Sequence, residues 1–181
     1  MKKIGLYFGT FNPIHIGHLV IANFMAHHTQ LDEVWIVVTP HNPLKKRSEL
    51  LPDQHRLQMV RLAILDNPSL QVSDVEFELP QPNYTWNTLT HLHNLHPDVE
   101  FSLIMGEDNL RTINQWFNHE QILENYTIYV YPRAITESEQ TLSIDKTNVH
   151  QNVVVCDAPM IRISSTFLRQ SIQNQKDVRY L

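Results

Sequence analysis

The sequence predicts an α/β fold, a doubly wound parallel sheet with helices on both faces. Three observations predict it. Apolar runs of strand length recur along the chain, at 4–8, 34–38, 72–77, 101–105, 127–131 and 153–155. Most are continuous rather than alternating, as in strands buried on both faces of a parallel sheet. Between them lie segments with helical spacing, and strands alternating with helices build right-handed crossovers around one sheet.

Taken in order, residues 4–8 form the first strand, and a loop carrying Gly9, Pro13 and Gly17 leads into a helix at 17–28. That helix is apolar nearly all round, so it is expected to be well buried, and His27 and His28 close it where positive charge suits the helix dipole. The strand at 34–38 is followed by a long polar loop, 39–52, that contains LKKR. Leu57, Val60 and Ile64 recur at helical spacing in a helix over 53–65, and Pro52 stands just ahead of it. After the strand at 72–77, a helix is expected over 85–96, where HLHNLH (91–96) reads as a solvated face rather than a metal tract. A further helix is expected over 107–116 and the last over 164–173, after a second long polar loop at 132–152. Loops of that length in a compact domain often clamp ligands.

Composition narrows the function. The 181 residues are 42% hydrophobic and 18% charged, consistent with one globular domain spanning 1–181. No stretch is apolar enough to span a membrane, and the apolar run in MKKIGLYFG is too short for a signal peptide. The one cysteine, Cys156, fits a reducing cytoplasm and reads as a small buried residue. A net charge of −5 argues against broad binding to nucleic acid, yet leaves room for a locally positive pocket that takes a small anion.

Two stretches are suited to phosphate. The first, FGTFNPIHIGHLV (8–20), is a strand, a loop and a helix start. Gly9 permits close backbone approach or positive φ, and Gly17 leaves room at the helix start. His15 and His18, three apart, face one ligand from the first turn, where helix amides favour an anion. The second, IRISSTFLRQS (161–171), places Ser165, Thr166 and Arg169 on one face of a second helix start. Two anion sites at opposite ends of the chain suit a polyphosphate gripped from two sides.

GTFNPIHIGHL (9–19) together with ISSTFLR (163–169) resembles the (H/T)xGH nucleotidyltransferase superfamily. NYTWNTL (83–89), MGEDNL (105–110) with Trp116, and RLQMVRLAI (56–64) are similar to bacterial nicotinate-nucleotide adenylyltransferases. The resemblance implies a Rossmann-like sheet and the reaction of ATP with nicotinate mononucleotide, assisted by Mg²⁺, to give deamido-NAD and pyrophosphate. It implies that His15, His18 and Arg169 are catalytic. It places ATP against Gly9, Thr10, Phe11, Gly106, Asp108, Ser165 and Thr166, with Asp108 at the ribose hydroxyls. It places the acceptor against Asn12, Lys45, Tyr84, Thr85 and Trp116, with Trp116 stacking on the pyridine ring. Its partners would be these two small molecules, with no nucleic acid or membrane, and self-association is allowed. Phe8, Asn12 and Asn87 depart from the family's usual glycine and two aspartates.

Three other readings share parts of this pattern. HIGH (15–18) also occurs in class I aminoacyl-tRNA synthetases, but the chain is short for a tRNA-reading domain and lacks a KMSKS-like loop. Pantetheine-phosphate adenylyltransferase uses the same phosphate grip with another acceptor. A nucleotide sensor without catalysis would keep the grip alone.

Overall fold

A computed structural model of the chain describes residues 1–40, 50–133 and 149–181. Its core is a six-stranded, all-parallel sheet in the order β3-β2-β1-β4-β5-β6. The strands are β1 (Lys2–Gly9), β2 (Glu33–Val38), β3 (Leu70–Ser73), β4 (Val99–Gly106), β5 (Ile128–Tyr131) and β6 (Val153–Val155). The helices are α1 (Ile16–His28), α2 (Asp53–Ala63), α3 (Thr85–Leu95), α4 (Glu107–Arg111), α5 (His119–Asn125) and α6 (Ser165–Gln173).

Continuous apolar strands feed two cores, because successive side chains leave opposite faces of a strand. Tyr7, Ile36 and Val38 pack with Ile21, Met25, Leu57 and Val60 of α1 and α2. Ile4, Leu6 and Val37 pack on the other face with Leu89, Leu92 and Ile122 of α3 and α5. The expected burial of α1 holds: its apolar residues are buried or half-buried, and only Asn23, His27 and His28 are exposed.

Four local expectations change. The helix expected over 107–116 ends as α4 at Arg111, and a 3-10 turn, Ile113–Gln115, follows. At the break the ladder tightens: the Thr112 amide donates to the Asn109 carbonyl, three residues back, at 3.1 Å. The third strand is Leu70–Ser73, and Val75–Phe77 is a 3-10 turn. Helix α5 was not expected; it starts after Asn118, which takes the left-handed conformation at φ 53°. His93 is solvated as expected, but His96 packs edge-on against Trp35 with centroids 5.7 Å apart. Cys156, just past β6, is half-buried.

What matters for the site is where the strand order reverses. The chain winds from β1 to β2 and β3 on one side, then crosses to β4, β5 and β6 on the other. The crevice at such a switch point lies beyond the carboxyl ends of the two central strands. Here those ends are Gly9 of β1 and Gly106 of β4.

Candidate active site

Both glycines serve close approach. A Cβ on Gly9 would lie 2.8 Å from the Phe11 ring, and a Cβ on Gly106 would lie 2.5 Å from Asp108 Oδ1. Neither takes positive φ; the strained residue is Phe11, at φ 42°. Phe11 lines the larger cleft described below. Its ring is spent on packing, over Gly9, edge-on to Tyr7 and 5.0 Å from the His18 ring.

Beyond this loop α1 begins, with His15 at its N-cap. The His15 and His18 rings stack 3.7 Å apart at 28°. The His15 amide donates to His18 Nδ1 at 3.2 Å. That bond assigns the proton of a neutral His18 ring to Nε2 and turns it into a fixed donor. His15 is held neutral, its pKa lowered to about 4, first by burial and then by the Arg133 guanidinium.

The carboxyl-terminal turn closes on the same loop. Ser165 Oγ donates to the Pro13 carbonyl at 2.9 Å, and Arg169 Nη1 donates to the Asn12 carbonyl at 2.9 Å. Thr166 Oγ1 accepts from Arg169 Nη2 at 3.4 Å, and Ser164 caps α6 by accepting from the Phe167 amide. The structure therefore brings the two predicted phosphate sites to one cleft of about 580 Å³. Thr10, His15, His18, Asp108, Ser165 and Arg169 all line it.

A smaller cavity of about 170 Å³ adjoins the first, sharing Phe8, Gly9 and Asn109 with it. It holds Tyr84, Thr85 and Trp116, with Phe117 5.3 Å from the Tyr84 ring. Thr85 is the first residue of α3, so the first-turn amides of that helix have no partner within it. Trp116 Nε1 is buried and unpartnered among the described residues. Asn12 lies in the larger cavity rather than here. It is 3% exposed, and its Oδ1 accepts from the Leu51 amide, which makes it a tie for the loop. Lys45 lies outside the described residues.

Sequence reasoning missed Arg133, Asn109 and Glu76. Arg133 follows β5 closely and donates to Asp108 Oδ2 at 2.7 Å, inside the larger cleft. An arginine at a strand's carboxyl end was the signal, hidden by reading 132–152 as one loop. Asp108 keeps its second oxygen, Oδ1, buried and unpartnered among the described residues. Glu76 is 1% exposed and accepts from Thr88 Oγ1 at 2.7 Å; burial raises its pKa, and the Thr88 hydroxyl partly opposes this.

His15 gives a pH prediction. Its pKa of about 4 in the folded chain lies below the ordinary imidazole value of 6.5, so the neutral form favours folding. The contribution is complete above 6.5 and is lost as pH falls through the window toward about 4. His15→Gln removes the term, so acidification through that window should cost the wild type more thermal stability than the variant. A melting-temperature difference that stays flat with pH would contradict this.

Residues 6–171 match the family model described as cytidylyltransferase-like. The chain is 58% identical to a probable nicotinate-nucleotide adenylyltransferase of Flavobacterium psychrophilum, over 99% of this chain and 91% of that one. It is 42% identical to another, of Bacteroides thetaiotaomicron, over 98% and 85%. In fold it matches the Plasmodium falciparum nicotinic acid mononucleotide adenylyltransferase complexed with NaAD, with a TM-score of 0.76 at 20% identity, over 98% and 87%. The chain belongs to the nicotinate-nucleotide adenylyltransferase family.

Proposed function

We infer that the chain transfers the adenylyl group of ATP to nicotinate mononucleotide, releasing pyrophosphate and forming deamido-NAD. The observation that carries this reading is the direct bonding of Ser165 and Arg169 to the histidine loop, which makes one cleft of two anion sites.

In the reaction a phosphate oxygen of the mononucleotide attacks the α-phosphorus of ATP. A new P–O bond forms there as the bond to the β-phosphate breaks, and the electron pair leaves with pyrophosphate. The nucleophile is already an anion near neutral pH, so no general base is required. The step needs alignment and stabilisation of charge on the α-phosphate and the leaving group. His18 Nε2–H supplies a donor held in place by the His15 amide. Thr10 and the amides opening α1 and α6 add dipoles, and Arg169 adds a fixed positive charge. Asp108, which lines the larger cleft, is the acceptor we assign to a ribose hydroxyl.

Mg²⁺ enters this scheme with ATP. No three His, Cys, Asp or Glu side chains converge among the described residues. Mg²⁺ would neutralise phosphate charge. The setting we propose is the cytoplasm; no described helix is long and apolar enough to cross a membrane.

The acceptor occupies the smaller, aromatic cavity. The α3 amides at Thr85 favour the nicotinate carboxylate over the neutral amide. Pyrophosphate release should therefore be strongest with nicotinate mononucleotide, well above nicotinamide mononucleotide or phosphopantetheine. Preference for phosphopantetheine would overturn the acceptor, and no release with any of the three would favour a sensor. Trp116→Ala should raise the KM for the acceptor about tenfold or more through lost stacking, with the KM for ATP unmoved. A matching rise for ATP would remove Trp116 from the pyridine site.

A further inference from the structure

We propose that Arg56 is a positioning residue for adenylyl transfer, which sets the phosphate loop and, through it, Arg169. The proposal rests on the adenylyltransferase reading.

Arg56 lies on α2, is 0% exposed and lines neither cavity, so it touches no substrate. Its guanidinium nonetheless converges on everything behind the cleft. Nη1 donates to the carbonyls of Thr10 and Thr39, at 2.5 and 2.9 Å. Nε donates to the Leu51 carbonyl at 3.1 Å, and Nη2 bonds Asp53 Oδ1. One planar fork thus ties the loop after β1 to the end of β2 and to the approach of α2. A buried guanidinium is tolerable because its donors are matched in this way.

The ties continue toward the substrate side. Leu51 gives its carbonyl to Arg56 and its amide to Asn12 Oδ1, at 3.1 Å. Asn12 in turn gives its own carbonyl to Arg169 Nη1. Arg56, Leu51, Asn12 and Arg169 therefore form one hydrogen-bonded chain from the sealed interior to the cleft. The carbonyls of Thr10 and Asn12 are occupied by guanidinium donors, which keeps those oxygens from opposing an anionic ligand. Arg56 thus meets the triphosphate side of the site through Thr10 and through the link from Leu51 and Asn12 to Arg169, and meets the aromatic cavity only through the backbone carbonyl of Thr39.

Lysine at this position keeps the charge but cannot reproduce a fork that bonds on several sides. We expect Arg56→Lys to lower kcat about tenfold and weaken ATP affinity about tenfold, the scale of one lost charged hydrogen bond. The KM for nicotinate mononucleotide should move by less than about twofold. Titration calorimetry with ATP alone, beside deamido-NAD formation with both substrates, reads these effects apart. Asn12→Ala breaks the same chain while leaving the contacts of Arg56 intact. It should shift ATP affinity in the same direction without altering the KM for the acceptor, and it decides the matter where Arg56→Lys does not fold. Equal losses for both substrates, or unchanged ATP affinity in a folded variant, would overturn the proposal. A wild type that binds ATP but makes no deamido-NAD would instead sink the functional reading, while the calorimetry would still test Arg56.

Discussion

Replacing His18 by alanine should lower kcat about 10²–10³-fold, the scale of removing one preorganised oxyanion donor, with ATP affinity changed only a few-fold. The reason is the rigidity of the ring. His18 Nδ1 is engaged by the His15 amide, one face stacks on His15, and Phe11 meets the ring edge-on at 5.0 Å. Nε2–H is thereby aimed before substrate arrives. A donor aimed at charge that grows during the reaction strengthens most in the transition state, so its loss appears in kcat rather than in binding. His18→Gln, which keeps an N–H donor on a floppier stem, should fall between alanine and wild type. Single-turnover rates beside calorimetric ATP binding separate the two quantities. An ATP affinity that drops by the same factor as kcat would make His18 a plain binding residue.

Arg169→Ala should cost as much by a different route. Arg169 spans the cleft from α6, bonds the Asn12 carbonyl and carries the positive charge we assign to the β- and γ-phosphates. Its removal breaks a bond that closes the carboxyl-terminal turn on the loop, beside that of Ser165 to Pro13. It also takes away the guanidinium we assign to the leaving pyrophosphate. We expect kcat/KM for ATP to fall about 10²–10³-fold. Arg169→Lys should recover only part of this, because an ammonium lacks the paired donors of a guanidinium. The diagnostic is a ladder of ligands: AMP affinity should survive in Arg169→Ala, while ADP and ATP lose affinity in turn. Equal loss for AMP would place Arg169 away from the outer phosphates.

Much of the fold was legible because burial on both faces writes continuous apolar runs, and all six such runs contain or overlap a strand. What failed were places where one side chain or one backbone conformation outweighs periodicity. At Thr112 the chain passes from α4 into a 3-10 turn, and Asn118 turns the chain into α5 without a glycine to announce it. In the site, the histidine loop and the serine–arginine turn were legible because each is a compact motif at a helix start. Arg56 was visible only as part of RLQMVRLAI, an ordinary helix with a charged residue. Its complete burial and its converging carbonyls are properties of three segments meeting. Arg133 is similar: its partner Asp108 lies 25 residues away, and its field on His15 acts through space.

The sequence by itself determined the order of the strands and of the helices other than α5, and the chemical groups at the two helix starts. Apolar spacing and capping chemistry act over a few neighbouring residues and are therefore written locally. Only the tertiary structure decided that those groups meet, through bonds between residues 152 and 157 positions apart. It also decided that a buried arginine stands behind them. Contacts over such separations arise when packing of the whole sheet sets distances, and no local pattern encodes that distance.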